Sequence, residues 1–386
     1  MPLANGLLTE AQLDEPEQRY PLALAFCSIC YLAQITHIVA PDQLFRDYPY
    51  FSSTSAAMVQ HAGEIASRLV DSLGLGPENL VVEIASNDGY LLQHYVARRI
   101  PVLGIDPARN IAQAAEDRGV PTVSEFFDQP LANRLRESGQ MADVVHANNV
   151  LAHVPDLHGL LDAIETILKP RGIVVIETPY VRDLVDRLEF DTIYHEHVFY
   201  YSLSSIEQQV GRHGLTVIDV ERIPIHGGSI RVTLSHQGSA SASPAVERLL
   251  GEERAIGLTS IEFFDGFAGR VGSLGKEIVT TLAGLHDAGK SIAAYGAAAK
   301  GAVLLNALGI GRDTIEFVAD RSPYKEGKYM PGVRIPVRSA DQLVAAQPDI
   351  CLLLAWNFAD EVFDQQAEYR RAGGRFLVPL PEVTLA

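Results

Sequence analysis

Residues 81–92, VVEIASNDGYLL, decide the fold together with a second apolar stretch at residues 102–106, VLGID. An apolar strand ends in a turn of small residues and gives way to a helix, and a second apolar strand ends on Asp106 about 20 residues later. Doubly wound parallel sheets build adenosine pockets in this way, because the acid after the second strand accepts hydrogen bonds from the ribose hydroxyls. The sequence therefore predicts an α/β fold with a nucleoside site at this turn.

The first turn lacks the three glycines that let a pyrophosphate approach the backbone. It carries an acid, an amide and a second acid instead, with two small residues beside them: Glu83, Asn87, Asp88, Ala85 and Gly89. A carboxylate-rich turn repels a diphosphate and suits a ligand that carries a sulfonium and an ammonium group. The turn and Asp106 therefore indicate S-adenosylmethionine rather than NAD. A dehydrogenase with a degenerate glycine loop and a Rossmann-like scaffold that binds no nucleotide are the alternatives.

A length of 386 residues predicts two or three domains, and the 47% of apolar residues are enough to form their cores. The net charge of −17 argues against nucleic acid or an anionic membrane as a partner. A small anionic substrate remains compatible, because a local group of Lys and Arg can hold one. The sequence shows neither a secretory signal nor an apolar run long enough to span a membrane. Three cysteines do not make a disulfide framework, so we expect a cytoplasmic protein. We also expect a monomer or a small homo-oligomer.

The chain divides into three predicted domains. Residues 1–68 are irregular and rich in turns. Residues 69–240 alternate strands and helices, and five parallel strands followed by a helix and two closing strands predict a methyltransferase-like sheet with an antiparallel strand at one edge. After an Ala/Ser-rich linker, residues 241–386 begin with one or two long amphipathic helices and continue as a second Rossmann-like unit.

The second unit repeats the pattern of the first. Its first strand ends in the turn 295–301, YGAAAKG, and a later strand ends on Asp320. Gly296 and Gly301, with Lys300 at a helix start, are suited to binding phosphate oxygens. The alternative is that the small residues only permit tight packing between helix and strand.

A polar loop at residues 190–201 follows the carboxyl end of the fifth strand, where open α/β sheets bind ligands. It contains His195, Glu196 and His197 together with three tyrosines. A metal site is disfavoured, because adjacent side chains converge poorly and no helical i, i+4 pair is present. Acid–base chemistry is favoured, with an imidazole poised near neutral pH and a carboxylate that orients it. A polar loop packed between domains is the structural alternative.

Two further loops have candidate ligand-binding features. Residues 47–55, DYPYFSSTS, interleave aromatic and hydroxyl groups and suit a lid over a sugar-sized ligand, or an ordinary loop packed on the next domain. Residues 226–231, HGGSIR, allow the backbone to approach a ligand closely, or form only a tight turn into a strand.

Five segments in order along the chain resemble the sugar C-methyltransferases of antibiotic deoxysugar pathways, which act on nucleotide-linked 4-keto-deoxyhexoses. They are YPYFSS (48–53), EIASNDG (83–89), YHEH (194–197), HGGSIR (226–231) and YGAAAKG (295–301) with Asp320-Arg321. The resemblance implies a class I methyltransferase domain between a small zinc-bearing N-terminal domain and a C-terminal Rossmann-like domain that helps hold the nucleotide sugar.

The N-terminal domain departs from the family pattern. The family holds zinc with two Cys-x-x-Cys pairs, whereas residues 1–68 contain only Cys27 and Cys30. Two thiolates do not close a tetrahedral structural site. We therefore expect a truncated domain of the zinc-binding type, in which zinc is doubtful.

The resemblance also implies C-methylation beside the ketone of a nucleotide-linked 4-keto-deoxysugar. Deprotonation next to the ketone gives an enolate, which takes the methyl group from the sulfonium. His197 is the expected general base, Glu196 is expected to orient it, and Tyr194 with Tyr48 or Tyr50 is expected to contact the sugar. Methylation of O or N on a related small molecule, and a non-catalytic protein that binds nucleotide sugars, are the two alternatives.

The remaining expected site residues fall into two groups. The cofactor site adds residues after the fourth strand to the first turn and Asp106: Asn148, Asn149 and His153. The substrate site takes residues from the two candidate loops and the C-terminal unit: Ser52, Ser53, His226, Gly228, Ser229, Lys300, Gly301 and Asp320.

Overall fold

The computed structural model describes residues 1–45 and 51–386, so the predicted sugar contacts Tyr48 and Tyr50 lie outside the described residues. The strands are β1 (Leu24–Phe26), β2 (Ala33–Ile35), β3 (Val81–Ile84), β4 (Val102–Ile105), β5 (Thr122–Val123), β6 (Ala142–Asn148), β7 (Leu168–Pro179), β8 (Phe199–Tyr200), β9 (Leu215–Ile223), β10 (Ser229–His236), β11 (Ile292–Tyr295), β12 (Val318–Asp320), β13 (Val337–Ser339), β14 (Ile350–Leu353), β15 (Arg375–Val378) and β16 (Thr384–Leu385).

The helices connect these strands and cover the sheets. They are α1 (Pro41–Phe45), α2 (Ala56–Leu73), α3 (Gln93–Val96), α4 (Arg109–Asp117), α5 (Gln129–Glu137), α6 (Leu157–Ile167), α7 (Val181–Asp186), α8 (Leu203–Val210), α9 (Pro244–Ala255), α10 (Phe267–Asp287), α11 (Ala299–Leu308), α12 (Gln342–Ala346), α13 (Ala359–Gln365) and α14 (Ala367–Arg371). Among the described residues, no helix is both long enough and apolar enough to cross a membrane.

The central sheet has the order β5-β4-β3-β6-β7-β10-β9. Its first five strands are parallel, and β3 is buried at all four positions because helices cover both faces. Val82 and Ile84 pack in one core cluster, and Val81 packs in the cluster on the other face. The predicted class I methyltransferase-like sheet is therefore confirmed.

The predicted place of the antiparallel strand was wrong. β10 pairs antiparallel with both β7 and β9, so it is the penultimate strand and β9 forms the edge. The chain reverses after β9, where Gly227 and Gly228 adopt φ values of 97° and 138° that favour glycine, and this turn makes β10 antiparallel to β9. β10 also pairs with β7 over residues 229–234, which leaves β9 outermost.

Two other sheets flank the site. A small antiparallel sheet, β1-β2-β8, joins the N-terminal region to the strand that follows His197. The C-terminal sheet has the order β13-β12-β11-β14-β15-β16, parallel except for β16. The chain winds outward in both directions from β11 and β14, which opens a ligand crevice at their carboxyl ends.

The helical connection between the two larger sheets is fixed to the central domain by hydrogen bonds. α9 and α10 are separate helices. The buried Glu253 on α9 accepts hydrogen bonds from the N–H groups of Leu203 and Ser204, at 2.7 and 2.8 Å, and from the Tyr180 hydroxyl at 2.9 Å. Its carboxylate thus caps the N-terminus of α8, where the peptide N–H groups lack helical partners.

Candidate functional site

A cavity of about 780 Å³ lies where the carboxyl ends of the central strands meet the C-terminal unit. Its walls include residues of all three parts of the chain, from Asn5 near the N-terminus to Gln365 on α13. The cavity therefore has a cofactor side, formed by the central sheet, and a substrate side, formed by the C-terminal sheet.

Asp106 is the acid of the cofactor side and lines the cavity at the end of β4. Its Oδ2 accepts from the Asn87 N–H at 3.0 Å and its Oδ1 accepts from the Ala108 N–H at 2.9 Å. Burial raises the pKa of Asp106 to about 6, although these two N–H groups oppose the shift. Each oxygen keeps a further lone pair, so a ribose diol can donate to the same carboxylate.

The turn after β3 holds two residues in the left-handed region, Ala85 with a φ of 52° and Asn87 with a φ of 49°. Both line the cavity. The Asn87 side-chain oxygen accepts from the Ser52 N–H at 2.8 Å, which connects the turn to the short 3₁₀ helix Ser52–Thr54 before α2. Left-handed conformations cost free energy for residues other than glycine and are common at ligand sites.

Three predicted cofactor residues support this turn but do not line the cavity: Glu83, Asp88 and Gly89. Burial, and then the charges of Asp106, Asp88 and Glu177, raise the pKa of Glu83 well above its ordinary value. Asp88 is paired with Arg118 at 2.8 Å and accepts from the Ser53 hydroxyl. Gly89 is packed closely, because an added Cβ would lie 2.9 Å from Val120.

Asn148, Asn149 and His153 all line the cavity, as predicted. Among the described residues, the buried Asn148 Oδ1 has no hydrogen-bond partner. An unpaired buried oxygen is costly, and an ammonium group would satisfy it. The residues present therefore fit S-adenosylmethionine: a carboxylate for the ribose and an orphaned amide oxygen for the amino group.

Phe126 and Phe127 are cofactor-side residues that the sequence reasoning missed. Both line the cavity just after β5, on the side of Asp106. Aromatic rings of this kind suit the face of an adenine. Two adjacent phenylalanines following a short strand were the available sequence signal.

His197 is buried and lines the cavity. Its Nδ1 lies 2.9 Å from the Thr192 carbonyl oxygen, and its Nε2 lies 2.9 Å from the Tyr194 hydroxyl. A carbonyl can only accept, so Nδ1 carries the hydrogen and Nε2 is free to accept from the hydroxyl. Burial, followed by the charge of His153, holds the pKa of His197 well below its ordinary value. His197 is thus a neutral imidazole with its basic nitrogen facing Tyr194.

Glu196 does not make the orienting contact predicted for it, because both ring nitrogens of His197 are bonded elsewhere. Its two carboxylate oxygens accept from the Asn5 side-chain amide at 2.8 and 3.0 Å. The Thr192 carbonyl orients His197 instead. Asn5, which lines the cavity, had no local sequence signal. His195 turns away from the cavity and bonds to the Pro21 carbonyl at 3.1 Å.

The substrate side is rich in cations. Lys300 lies 4.6 Å from the centre of the Trp356 ring and donates to the His226 carbonyl at 3.3 Å. Burial lowers the pKa of Lys300, and the charges of Asp191 and Glu189 oppose that shift. Arg321 and Lys325, which the prediction did not name as binding residues, also line the cavity. Their position within five residues of the end of β12 was the sequence signal.

The other predicted substrate residues separate into two sets. Ser52, Asp320 and His226 line the cavity. Burial lowers the pKa of His226 to about 4. Those that do not line it have packing or turn roles: Ser53, Gly228, Ser229 and Gly301. At Gly301, for example, an added Cβ would lie 2.8 Å from Leu354, which fits the packing alternative.

Cys27 and Cys30 are both free thiols, only partly buried, and lie beside the small sheet. Hydrogen bonds from the backbone of Cys30 and Ile29 lower the pKa of Cys27, whereas burial raises that of Cys30. In residues 1–45 and 51–386, no group of three His, Cys, Asp or Glu side chains is placed to hold a metal ion. The two thiols do not fit a four-ligand zinc site.

Three family models match the chain in succession. A "Putative zinc binding domain" matches residues 1–45, a "Methyltransferase domain" matches residues 58–220, and a "C-methyltransferase C-terminal domain" matches residues 224–381. The predicted domain boundaries remain a prediction.

Among known relatives, the "C-methyltransferase NovU" of Streptomyces niveus is 38% identical over 382 residues, which span 99% of this chain and 91% of the relative. A ubiquinone biosynthesis O-methyltransferase of Acinetobacter baylyi is 29% identical over 123 residues, or 31% of this chain and 47% of the relative. The solved structure of magnesium protoporphyrin IX methyltransferase from Synechocystis PCC 6803 with bound SAM has a TM-score of 0.36 and 14% identity, covering 46% of this chain and 79% of its own.

The full-length relative and the successive family models confirm the family resemblance and the cofactor predicted from the five segments. The cavity walls carry groups that fit such chemistry: the buried Asp106 carboxylate, the unpaired Asn148 amide oxygen and the neutral His197 imidazole. The chain belongs to the family of S-adenosylmethionine-dependent C-methyltransferases.

Proposed function

We propose that this protein methylates the carbon beside the ketone of a nucleotide-linked 4-keto-deoxysugar. The observation that carries the proposal is the state of His197, a neutral imidazole whose Nε2 accepts from Tyr194 inside the cavity. Carbon–carbon bond formation needs a carbanion, and a ketone makes the neighbouring C–H acidic enough for an imidazole to remove the proton. Methylation of oxygen or nitrogen does not need this step.

The proton transfer uses the bonded pair His197 and Tyr194. Nε2 of His197 receives the proton, directly or through the Tyr194 hydroxyl that is bonded to it, and the electron pair of the C–H bond passes into the enolate. The Nδ1–H bond to Thr192 stabilises the imidazolium that forms. General acid–base catalysis of this kind accelerates a reaction by roughly 10²- to 10⁴-fold.

The cofactor side holds the methyl donor. When bound, S-adenosylmethionine supplies a methyl group on a sulfonium, an electrophile for the enolate carbon. Asp106 would accept from the ribose hydroxyls, Asn148 would accept from the ammonium group, and Phe126 and Phe127 would flank the adenine. Holding the two substrates in one cavity replaces a bimolecular encounter by an oriented one.

The substrate side offers positive charge to the diphosphate of a nucleotide sugar. Lys300, Arg321 and Lys325 all line the cavity in a chain whose net charge is −17. Lys325 is paired with Asp320 at 3.3 Å and Arg321 with Glu361 at 3.6 Å, and each cation keeps further N–H donors. A local group of cations against that overall charge favours an anionic small molecule. The uncapped N-terminus of α11, next to Gly296, adds peptide N–H groups on the same side.

Mass spectrometry tests this proposal. A panel of nucleotide-linked 4-keto-deoxysugars is incubated with the protein and S-adenosylmethionine carrying a ¹³C-methyl group. We expect a methyl group attached to carbon, visible as a C–CH₃ signal by NMR. In D₂O without the cofactor, we also expect exchange of the proton beside the ketone. Methylation on oxygen or nitrogen without exchange would support the O- or N-methyltransferase alternative, and binding without turnover would support the non-catalytic one.

A further inference from the structure

Residues 190–197, here called the catalytic segment, belong to the core of the C-terminal unit as much as to the central domain. Phe190 and Tyr194 pack in one buried cluster with Ala302 and Val303 of α11 and with Trp356. The segment that carries the His197 imidazole is therefore packed against residues of the C-terminal unit.

Trp356 makes the polar contact of this packing. Its indole Nε1–H donates to the Asp191 Oδ2 at 2.7 Å, and both side chains are buried. Trp356 begins a short 3₁₀ helix, Trp356–Phe358, shortly after β14, at the crevice of the C-terminal sheet. Lys300, which lines the substrate side of the cavity, lies over the same indole ring at 4.6 Å. The indole therefore contacts both the catalytic segment and a substrate-side cation.

Asp191 is adjacent to the residue that fixes His197. Asp191 and Thr192 lie in one 3₁₀ turn, Phe190–Thr192, closed by the hydrogen bond from the Ile193 N–H to the Phe190 carbonyl at 3.1 Å. The Thr192 carbonyl accepts the Nδ1–H of His197. A carbonyl that rotates away would release this hydrogen bond, and the proton could then move to Nε2, where it would block the base.

We infer that Trp356 is a positioning residue for methyl transfer, which acts through Asp191 and the Thr192 carbonyl to keep Nε2 of His197 unprotonated. The kinetic part of this inference rests on the proposed function. The Trp356 indole N–H fixes the Asp191 carboxylate, and this contact holds the 3₁₀ turn in place. That turn orients the Thr192 carbonyl toward His197. The C-terminal unit therefore contributes to the base as well as to the substrate-side wall.

The kinetic test is Trp356→Phe, which removes the N–H donor and keeps an aromatic ring under Lys300. We expect kcat and the rate of proton exchange to fall about 10- to 100-fold, the cost typical of a small displacement of a reacting group. KM for S-adenosylmethionine should change less than about twofold, because the residues of that side lie on the central sheet. The acidic limb of the pH–rate profile should also move.

A double-mutant cycle tests the route. If Trp356 acts through Asp191, then Trp356→Phe should cause little further loss in an Asp191→Ala background, since coupled residues are not additive. Full additivity of the two losses would overturn the route. Tyr369→Phe is the matched control: it removes a hydroxyl of the same unit that bonds to the Arg375 carbonyl at 3.2 Å, on a buried residue that does not line the cavity. It should leave kcat unchanged.

A readout without substrate separates this inference from the proposed function. In protein labelled with ¹⁵N-histidine, the His197 signals are identified by their loss in His197→Asn. The wild type should show a protonated Nδ1 and an unprotonated Nε2, and Trp356→Phe should show a mixture of the two tautomers. If no sugar is methylated, the proposed function fails, but this spectrum still decides the inference. An unchanged His197 spectrum in Trp356→Phe would overturn it.

Discussion

The two Rossmann-like units hold an acid in the same backbone arrangement and surround it with different charge. Asp106 accepts from the N–H of Asn87 in the first turn and from its own i+2 neighbour Ala108. Asp320 accepts from the N–H of Ala297 at 2.7 Å and of Ser322 at 2.8 Å, the equivalent positions. In both strand-turn-helix-strand units, the carboxylate thus accepts from one N–H of the first turn and from the N–H two residues after itself.

The difference lies in what neutralises each acid. Asp320 has Lys325 at 3.3 Å, with Arg321 and Lys300 also on the cavity wall. Asp106 relies on peptide N–H groups, and its pKa rises to about 6 through burial. A carboxylate without a cation attracts donors and positive charge, whereas a paired one brings a cation to the wall whose remaining N–H donors can bind phosphate oxygens. One backbone pattern therefore carries two different charge environments, which under the proposed function suit two ligands of opposite charge.

The largest effect is expected where the two units meet. His197→Asn should abolish methyl transfer and proton exchange while both ligands still bind, one to each unit. The expected loss is at least about 10²-fold, the lower range of general-base contributions. His195→Asn is the control, because His195 bonds to a backbone carbonyl away from the cavity. Steady-state rates of the two variants measure this difference. Full turnover by His197→Asn would show that another residue is the general base.

A matched pair of substitutions tests the comparison itself. Asp106→Ala should weaken S-adenosylmethionine binding by about 1–3 kcal/mol through the loss of charge-assisted hydrogen bonds. Asp320→Ala should leave that affinity unchanged, since Asp320 belongs to the other unit. Calorimetry on both folded variants provides the measurement. Equal losses would mean that the two acids do not divide the ligands between them.

Acid should weaken the cofactor side first. If Asp106 is the proposed ribose acid, it must be ionised to accept from both hydroxyls, and its pKa is raised to about 6 from the ordinary 3.8. The affinity for S-adenosylmethionine should therefore fall as the pH drops through about 6, approaching tenfold per pH unit below it. The raised pKa also affects the ligand-free protein. Between pH 3.8 and pH 6 the folded state binds this proton more tightly than the unfolded state, so its free energy of unfolding should fall as the pH rises through that range. Titration of Asp106→Asn should remove the step at pH 6.

The smallest effect is expected for zinc binding in the N-terminal region, which lies outside both Rossmann-like units. Cys27 and Cys30 are two thiols, and the described residues offer no third ligand beside them. We expect this 386-residue chain to bind less than stoichiometric zinc and to show little change in melting temperature with a chelator. Elemental analysis measures this directly. One tightly held zinc per chain would require ligands beyond this pair.

The local patterns were readable from the sequence. The apolar runs, the small-residue turns and the spacing from the first turn to Asp106 predicted the parallel strands, the cavity edge and the cofactor. Asn148, Asn149 and His153 followed from the same rule, since parallel strands end at one edge of a sheet. These features depend on residues close in the sequence and on the fixed geometry of strand and helix.

Contacts between distant segments were decided only by the tertiary structure. Asn5 meets Glu196, Trp356 meets Asp191, and β10 inserts beside β7, none of which has a periodic signal. The partner of His197 is a backbone carbonyl, which every residue possesses, so no residue type could identify it. The sequence by itself determined which groups line the ends of the strands and which cofactor they suit. Which groups bond to one another depended on how three sheets pack, because side-chain chemistry specifies what a group can bind but not which distant segment reaches it.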